Sequence, residues 1–133
     1  MKLLPIFASA RIDRMDKLFN VIFLDEAFEF LKSLDKKHYE KILFNIRKSQ
    51  TANDPELLKK LTEDIWEFRT RYQGMQYRLL AFWDKTETDN TLIISTHGFL
   101  KKQDKVPDNE ILKAKQSRVK YFEDKERSKD TKK

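Results

Sequence analysis

Apolar and polar residues follow a helical period in the first part of this chain. A short β-branched and aromatic run at residues 19–24 is typical of a strand. From Asp25 the apolar residues recur every three or four positions, first as far as Leu34 and then from Tyr39 to Ile46. Because each stripe occupies one side of its helix, we predict a helical hairpin that a sheet must cover.

The middle of the chain changes to a period of two, which indicates strands. Pro55 breaks the helical pattern and is predicted to open one short helical turn through Leu58. Three strand-like runs follow, at residues 65–72, 75–83 and 91–99. The first two are joined by Gln73-Gly74, whose glycine supplies the positive φ that a tight hairpin turn requires.

The two ends of the chain differ from its middle. We interpret residues 1–18 as an N-terminal extension, because their apolar stretch is shorter than a secretory signal and is interrupted by Pro5. A last helix is predicted from Pro107, with a sparse apolar face made by Ile111, Leu112, Val119 and Phe122. Residues 125–133 have no hydrophobic pattern and are predicted to be a disordered basic tail.

These elements predict one α+β domain at residues 19–124, in which an N-terminal strand precedes a helical hairpin packed on an antiparallel sheet, with a C-terminal helix. A chain of 133 residues with 39% apolar residues has room for one such core. The side chains predicted to be buried are Phe28, Leu31, Ile42, Trp66, Phe68, Leu79 and Ile94.

The net charge of +6 is concentrated near the C-terminus. Residues 1–98 hold 16 basic and 15 acidic residues, whereas residues 99–133 hold 12 and 7. Such a field favours polyanions such as nucleic acid, although a solvated tail gives the same pattern. The absence of cysteine excludes disulfides and thiolate metal sites, and no apolar run is long enough to span a bilayer.

The hairpin register places basic side chains on one face of the sheet. A two-residue turn at 73–74 sets Arg69 opposite Arg78 and Arg71 opposite Gln76, all on one face. The opposite face carries Trp66, Phe68, Tyr77, Leu79 and Ala81 and is predicted to be core.

Two arginines directly opposite each other on paired strands destabilise the pair and therefore need a partner. An oxyanion bound between Arg69 and Arg78 is one such partner. Alternatively, each arginine finds a carboxylate, of which Glu67 on the same face is the nearest, or extends into water.

The segment at residues 96–102 is the second candidate for chemistry. The strand ends at His97, Gly98 lets the chain turn, and Lys101 and Lys102 follow. His97 could equally be a structural histidine at a strand end, and the two lysines alone would be a solvated pair. The strand order could, however, bring them beside the arginine face.

Four short motifs now form a family pattern. Ile-Trp-Glu-Phe-Arg at 65–69, Tyr-Arg-Leu-Leu at 77–80, His-Gly-Phe-Leu-Lys-Lys at 97–102 and Val-Pro at 106–107 resemble the RelE/ParE superfamily of toxins. They are most similar to its phage-derived, HigB-like (Gp49-like) branch. The resemblance covers about residues 19–122 and implies a RelE-like fold.

The resemblance implies a cytoplasmic type II toxin that acts as a ribosome-dependent mRNA endoribonuclease and inhibits translation. In such toxins basic side chains hold the scissile phosphate while the neighbouring 2′-hydroxyl attacks it, without a metal. The implied partners are the ribosome, mRNA and a cognate helix-turn-helix antitoxin of the HigA type. No membrane and no small-molecule cofactor is implied.

The resemblance also suggests roles for particular residues. Glu67 stands where RelE toxins often have a basic residue, and the start of the last helix lacks their tyrosine, so that His97 could substitute for it in acid–base chemistry. The candidate catalytic residues are Arg69, Arg78, Lys101, Lys102 and His97, and the candidate substrate-binding residues are Arg71, Gln76 and Lys105.

Two other functions agree with the same residues. The first is that of the ParE branch, which shares the fold but poisons DNA gyrase. The second is a non-catalytic nucleic-acid-binding module that uses the basic C-terminal helix. The arginine pair and the Lys101-Lys102 corner favour the nuclease.

Overall fold

The computed structural model describes residues 17–87, 90–94 and 97–131, and the predicted elements follow in order with two differences. A short strand is added at Leu58–Lys60, and the predicted strand at 91–99 is present as two short strands, Thr91–Ile94 and Phe99–Leu100. Its helices in these ranges are α1 (Asp25–Lys32), α2 (Lys36–Thr51) and α3 (Asp108–Thr131). Its strands there are β1 (Asn20–Phe23), β2 (Leu58–Lys60), β3 (Trp66–Tyr72), β4 (Met75–Asp84), β5 (Thr91–Ile94) and β6 (Phe99–Leu100). The prediction of one α+β domain is confirmed. The short helical turn predicted from Pro55 is present, since the N–H groups of Leu57 and Leu58 both donate to the Asp54 carbonyl at 3.0 Å. It ends at Leu58, which begins β2 and pairs with Phe68 of β3.

The strands form one mixed sheet in the order β1-β5-β4-β3-β2, and β6 pairs with β4 beyond the end of β5. The sheet was predicted to be antiparallel, but β1 and β5 run parallel, from the pair Asn20 and Thr91 to the pair Phe23 and Ile94. Parallel pairing needs a long connection, and here two helices and three strands intervene between the partners. The periodicity of each strand by itself carries no information on this pairing.

The β3–β4 hairpin has the predicted register. Gln73 has φ 49° and Gly74 has φ 79°, the two positive angles that a type I′ turn requires. Arg69 consequently lies opposite Arg78, and Phe68 opposite Leu79.

His38 of α2 fixes this turn to the helical hairpin. Its Nε2 lies 3.0 Å from Gln73 Oε1, and its Nδ1 lies 2.7 Å from the Tyr77 hydroxyl. The ring also packs edge-on against Tyr72. A buried polar side chain on α2 therefore holds both strands of the hairpin at the turn.

Helices α1 and α2 cover one face of the sheet, as predicted. The core on this face contains Phe19, Phe23, Ala27, Leu31, Ile42, Leu43, Ile46, Phe68, Tyr77, Leu79, Ala81 and Leu92. Four of the side chains predicted to be buried are in this set. Trp66 and Phe28 are only partly buried, and the side chain of Ile94 lies outside the described residues. Trp66 begins β3 and packs edge-on against Trp83, which leaves part of its ring at the surface.

Helix α3 covers the opposite face and makes a second core. This core contains Ile65, Leu80, Phe82, Ile93, Val106 and Ala114, with Ile111, Tyr121 and Phe122 packed against it. The predicted apolar face of α3 is therefore partly wrong, because Leu112 and Val119 are 56% and 55% exposed. Residues 111, 114, 121 and 122 recur at helical spacing on the inner side, whereas Leu112 and Val119 form a separate outward stripe.

The last residue of β4, Asp84, anchors α3 to the sheet. Its buried carboxylate accepts hydrogen bonds from the Tyr121 hydroxyl at 2.6 Å, from Lys125 Nζ at 2.7 Å and from the Thr86 hydroxyl at 2.6 Å. Burial alone would raise the pKa of Asp84, but the hydrogen bonds from Lys125, Thr86 and Tyr121 outweigh it and lower the pKa well below its ordinary value.

The predicted disordered tail is wrong for residues 125–131, which continue α3. Lys125 lies at their start, and its ammonium bonds both Asp84 and Thr86. Burial by itself would lower the pKa of Lys125. The hydrogen bond with Asp84 outweighs this effect and raises the pKa above its ordinary value, so that the side chain stays charged. One long-range ion pair thus extends a helix whose sequence has lost its apolar pattern.

Asp84→Asn is expected to lower the midpoint of thermal unfolding by about 5 °C at pH 7, because it removes the charge from hydrogen bonds that bind α3. The folded pKa of Asp84 is lowered, so its contribution is complete above the ordinary value of 3.8 and is lost as the pH falls below it. The difference between parent and variant should therefore shrink in melts recorded at pH 3. Asp124→Asn, an exposed acid on the same helix, is the control and should melt like the parent.

Gly98→Ala is expected to destabilise the fold by at least about 2 kcal/mol. At φ +79° a Cβ would lie 2.6 Å from Phe30 Cε2 and 2.8 Å from Leu79 Cδ2. Gly74 is a matched control, since it has the same φ but nothing within 4 Å of its Cβ position. Urea titration of both alanine variants measures the steric overlap separately from the backbone strain. Equal losses would contradict the close packing at Gly98.

Candidate anion-binding site

Three neighbouring strand positions form a polar row across one end of the sheet. Arg71 of β3 lies opposite Gln76 of β4. On the other side of β4, Tyr77 pairs with Leu100, and the backbone N–H of Lys101 donates to the Gln76 carbonyl at 2.7 Å. Alternation along the strands therefore puts Arg71, Gln76 and Lys101 on the same face, the one that α3 covers farther along. We call these three residues the polar row.

A second row lies two residues farther along the strands, on the same face. It consists of Arg69, Arg78 and Phe99, since Arg78 lies opposite Arg69 on one side and Phe99 on the other. Phe99 is partly buried against the second core. The site thus lies where the polar row meets the edge of the apolar region under α3.

Arg78 is buried and has found a carboxylate. Its Nε lies 3.0 Å from Glu67 Oε1, and the side chains are 3% and 7% exposed. Its Nη1 donates to the Tyr77 carbonyl at 2.9 Å, and its Nη2 donates to Gln76 Oε1 at 3.2 Å. Of the two alternatives that the sequence left open, the carboxylate partner is correct for Arg78. In this arrangement Arg78 lies beneath the surface, where a phosphate does not reach it.

The charges around Arg78 are not balanced. Burial lowers the pKa of Arg78, the charge of Glu67 opposes that effect, and the charges of Arg69 and Arg71 lower the pKa further. Three guanidinium groups therefore act on each other across the β3–β4 pair, and one carboxylate is buried among them. The positive charge on this face exceeds what Glu67 neutralises.

The remaining cations of the two rows have no acidic partner within the described ranges. Throughout the part of the chain that the structure describes, no carboxylate forms an ion pair with Arg69, Arg71 or Lys101. Arg71 is exposed, whereas Arg69 and Lys101 are partly buried. Lys102 and Lys105 are exposed in the loop that follows. The positive charge gathered on this face attracts an anion.

His97 has a different environment. Its Nδ1 lies 2.8 Å from Lys113 Nζ and 3.8 Å from Glu26 Oε2, and its Nε2 lies 3.7 Å from Glu110 Oε2. Lys113 also pairs with Glu26 at 2.7 Å. These contacts connect His97 to the first turns of α1 and α3 and do not include the arginines.

Sequence reasoning did not find two polar residues that hold the site's framework, His38 and Asp84. Their partners are 35 to 41 residues away along the chain. No local spacing links residues at such separations. The only sequence signal was a polar residue at the end of a strand, which is common.

The described residues contain no candidate metal site and no candidate membrane-spanning helix. In residues 17–87, 90–94 and 97–131 no group of three or more histidine, aspartate or glutamate side chains is placed to hold a metal ion. No helix within the same ranges is both long and apolar enough to cross a bilayer.

The fold and the basic face define a class of small α+β proteins of the RelE-like type. Residues 29–119, more than half of the chain, match the family described as "Phage derived protein Gp49-like (DUF891)", and the chain belongs to this family. That family is part of the RelE/HigB-like toxin group, whose members act in toxin–antitoxin systems, and membership suggests an antitoxin partner. No curated protein and no solved structure matched the chain.

Arg78→Met is expected to destabilise the fold by about 3–5 kcal/mol, because it leaves the Glu67 carboxylate buried without its cation. The double variant Glu67→Leu/Arg78→Met should recover most of that loss, since no charge then stays buried. Urea unfolding of the two singles and the double gives the coupling free energy. Arg71→Met removes an exposed arginine from the same face and should change stability by less than about 0.5 kcal/mol. An Arg78→Met protein as stable as Arg71→Met would contradict the buried pair.

Proposed function

We propose that this protein is a toxin that cleaves mRNA on the ribosome, without a metal, and so inhibits translation. Membership of the Gp49-like family supports the toxin. The observation that carries the nuclease is the set of three neighbouring cations without acidic partners, Arg69, Arg71 and Lys101. Such a set suits a phosphate, because the three cations occupy neighbouring positions on one face at one end of the sheet.

The proposed reaction needs the 2′-hydroxyl that RNA itself supplies, water as proton acceptor and donor, and charge stabilisation. The 2′-hydroxyl gives its proton to water, and its oxygen bonds the adjacent phosphorus. The bond from phosphorus to the 5′-oxygen breaks, that oxygen takes up a proton, and a 2′,3′-cyclic phosphate is left. Negative charge grows on the non-bridging oxygens during attack, so fixed cations there stabilise the transition state more than the ground state.

The phosphate-binding residues in this proposal are Arg69, Arg71 and Lys101. Arg78, a candidate catalytic residue by the resemblance, is given a supporting role in this proposal, because its buried guanidinium pairs with Glu67. Lys102 and Lys105 extend the positive field along the RNA on either side of the scissile phosphate and add affinity that does not depend on base sequence.

The partners follow from the same proposal. The substrate is mRNA held on the ribosome, in the cytoplasm, and the antitoxin is a small helix-turn-helix protein of the HigA type. Anionic side chains on such an antitoxin would be steered to the face that binds RNA.

Incubation with translating ribosomes tests the function. Cuts in mRNA that follow the reading frame and end in a 2′,3′-cyclic phosphate are the expected result. Double-strand breaks in DNA in the presence of gyrase would instead identify a gyrase poison. Binding to RNA without either product would identify a non-catalytic module.

Arg71→Gln and Lys101→Gln should each lower the rate of cleavage on the ribosome by about a hundredfold, because each removes a donor from the phosphate. Both proteins should unfold at the same urea concentration as the parent, since neither side chain has an ion-pair partner to lose in the part of the chain that the structure describes. The matched control is Lys115→Gln, an exposed cation on the outer side of α3, which should leave the rate unchanged. Equal rates in all three variants would show that this face is not the active site.

A further inference from the structure

Gln76 lies at the centre of the polar row, and its carboxamide has a defined orientation. Arg78 Nη2 lies 3.2 Å from Gln76 Oε1. A guanidinium only donates hydrogen bonds, so the amide oxygen is the end that faces it. The Nε2 group, with its two N–H donors, is therefore turned away from Arg78. No acceptor among the residues of the described ranges bonds it.

The group that orients Gln76 is itself held at three points. Arg78 pairs with Glu67 through Nε, donates to the Tyr77 carbonyl through Nη1 and reaches Gln76 through Nη2. The planar guanidinium fixes the angles between these contacts. Because Arg78 is only 3% exposed, water does not compete for its donors.

The backbone of Gln76 is also fixed, on both of its sides. Gln76 pairs with Arg71 of β3, and its carbonyl accepts the N–H of Lys101. The Cα atoms of its two neighbours are then about 10 Å apart, two strand spacings across the sheet. An anion held by both cations lies above Gln76.

We propose that Gln76 donates from Nε2 to a phosphate held between Arg71 and Lys101, and that Arg78 is the positioning residue that turns the amide towards it. This inference rests on the proposed function. It gives the hydrogen bond from Arg78 to Gln76 the role of orienting the amide towards the phosphate. A neutral amide suits the centre of the row, because it adds donors without a further positive charge between two cations. With the amide reversed, Oε1 would face the anion and repel it.

The Glu67–Arg78 pair has a simpler interpretation as a structural ion pair of the sheet. That interpretation predicts a loss of stability when the pair is broken and nothing specific at Gln76. If Arg78 positions Gln76, replacing Arg78 should also weaken phosphate binding, but only while residue 76 carries an amide. The two interpretations differ in a measurable quantity.

Inorganic phosphate is the probe, titrated into the full chain labelled with ¹⁵N. The parent should show a saturable shift of the Gln76 Nε2 resonances. Arg78→Lys keeps a cation beside Glu67 but loses the fork that reaches Gln76, so the shift should vanish and the affinity should fall about tenfold. Lys115→Gln is the control and should titrate like the parent. No shift at Gln76 in the parent, or an unchanged shift in Arg78→Lys, overturns the proposal.

Gln76→Met keeps the length of the side chain and removes both donors. It should bind phosphate about tenfold more weakly, with a modest fall in unfolding midpoint because Arg78 Nη2 loses its acceptor, and it serves alone if Arg78→Lys does not fold. In the Gln76→Met background, Arg78→Lys should weaken phosphate binding no further. Multiplied losses in the double variant would show that Arg78 acts independently of Gln76.

The failure of this inference is distinguishable from failure of the proposed function. Phosphate titration does not require ribosomes or cleavage. If the protein cuts no RNA but phosphate shifts the Gln76 resonances in a way that depends on Arg78, the phosphate site is supported and the nuclease function is contradicted. If the protein cuts RNA in the reading frame but phosphate does not shift the Gln76 resonances, the nuclease function is supported and the role assigned to Gln76 is contradicted.

Discussion

The pairing of β3 with β4 is the constraint on which both faces of the sheet depend. The Gln73-Gly74 turn has room for two residues with positive φ and so fixes which positions lie opposite each other. A slip of one residue would exchange the two faces of a strand, putting Arg69 into the core and Phe68 into the polar rows. His38 bonds the turn from α2 and holds the register where the strands are least covered.

Arginine opposite arginine is tolerated here because the two are not equivalent. Arg78 lies under the surface with Glu67, whereas Arg69 and its neighbour Arg71 have no such partner among the described residues. A buried ion pair is weak evidence for stability, since desolvation consumes much of its attraction. Its value here is geometric. One carboxylate fixes one guanidinium, and the charge that remains unbalanced is at the surface, where an anion can reach it.

Strand β4 contributes both to the candidate site and to the attachment of α3. Its second residue, Gln76, is at the centre of the candidate site, and its last residue, Asp84, holds α3. Residues 77–82 between them are buried and Trp83 is partly buried, so both faces of the strand are packed. A strand of this kind transmits little motion, because its side chains are packed on both sides. The site is thus built on a closely packed strand, with the basic loop at its edge.

The sequence by itself determined the features that depend on neighbouring residues. Alternation and one turn gave the hairpin register and the face that carries Arg69, Arg71, Gln76 and Arg78, and helical spacing gave α1 and α2. It left Glu67 as one possible partner of Arg78, and it did not determine the parallel pairing of β1 or the packing of α3. The last two depend on residues brought together from distant parts of the chain, such as Asp84 and Lys125. Periodicity reports which side of an element is apolar, but only the assembled layers decide which carboxylate a buried arginine meets. Only the tertiary structure distinguishes Arg78, which is buried and paired with Glu67, from the cations that stay accessible to an anion. The reason is that burial and charge pairing are properties of the packed sheet.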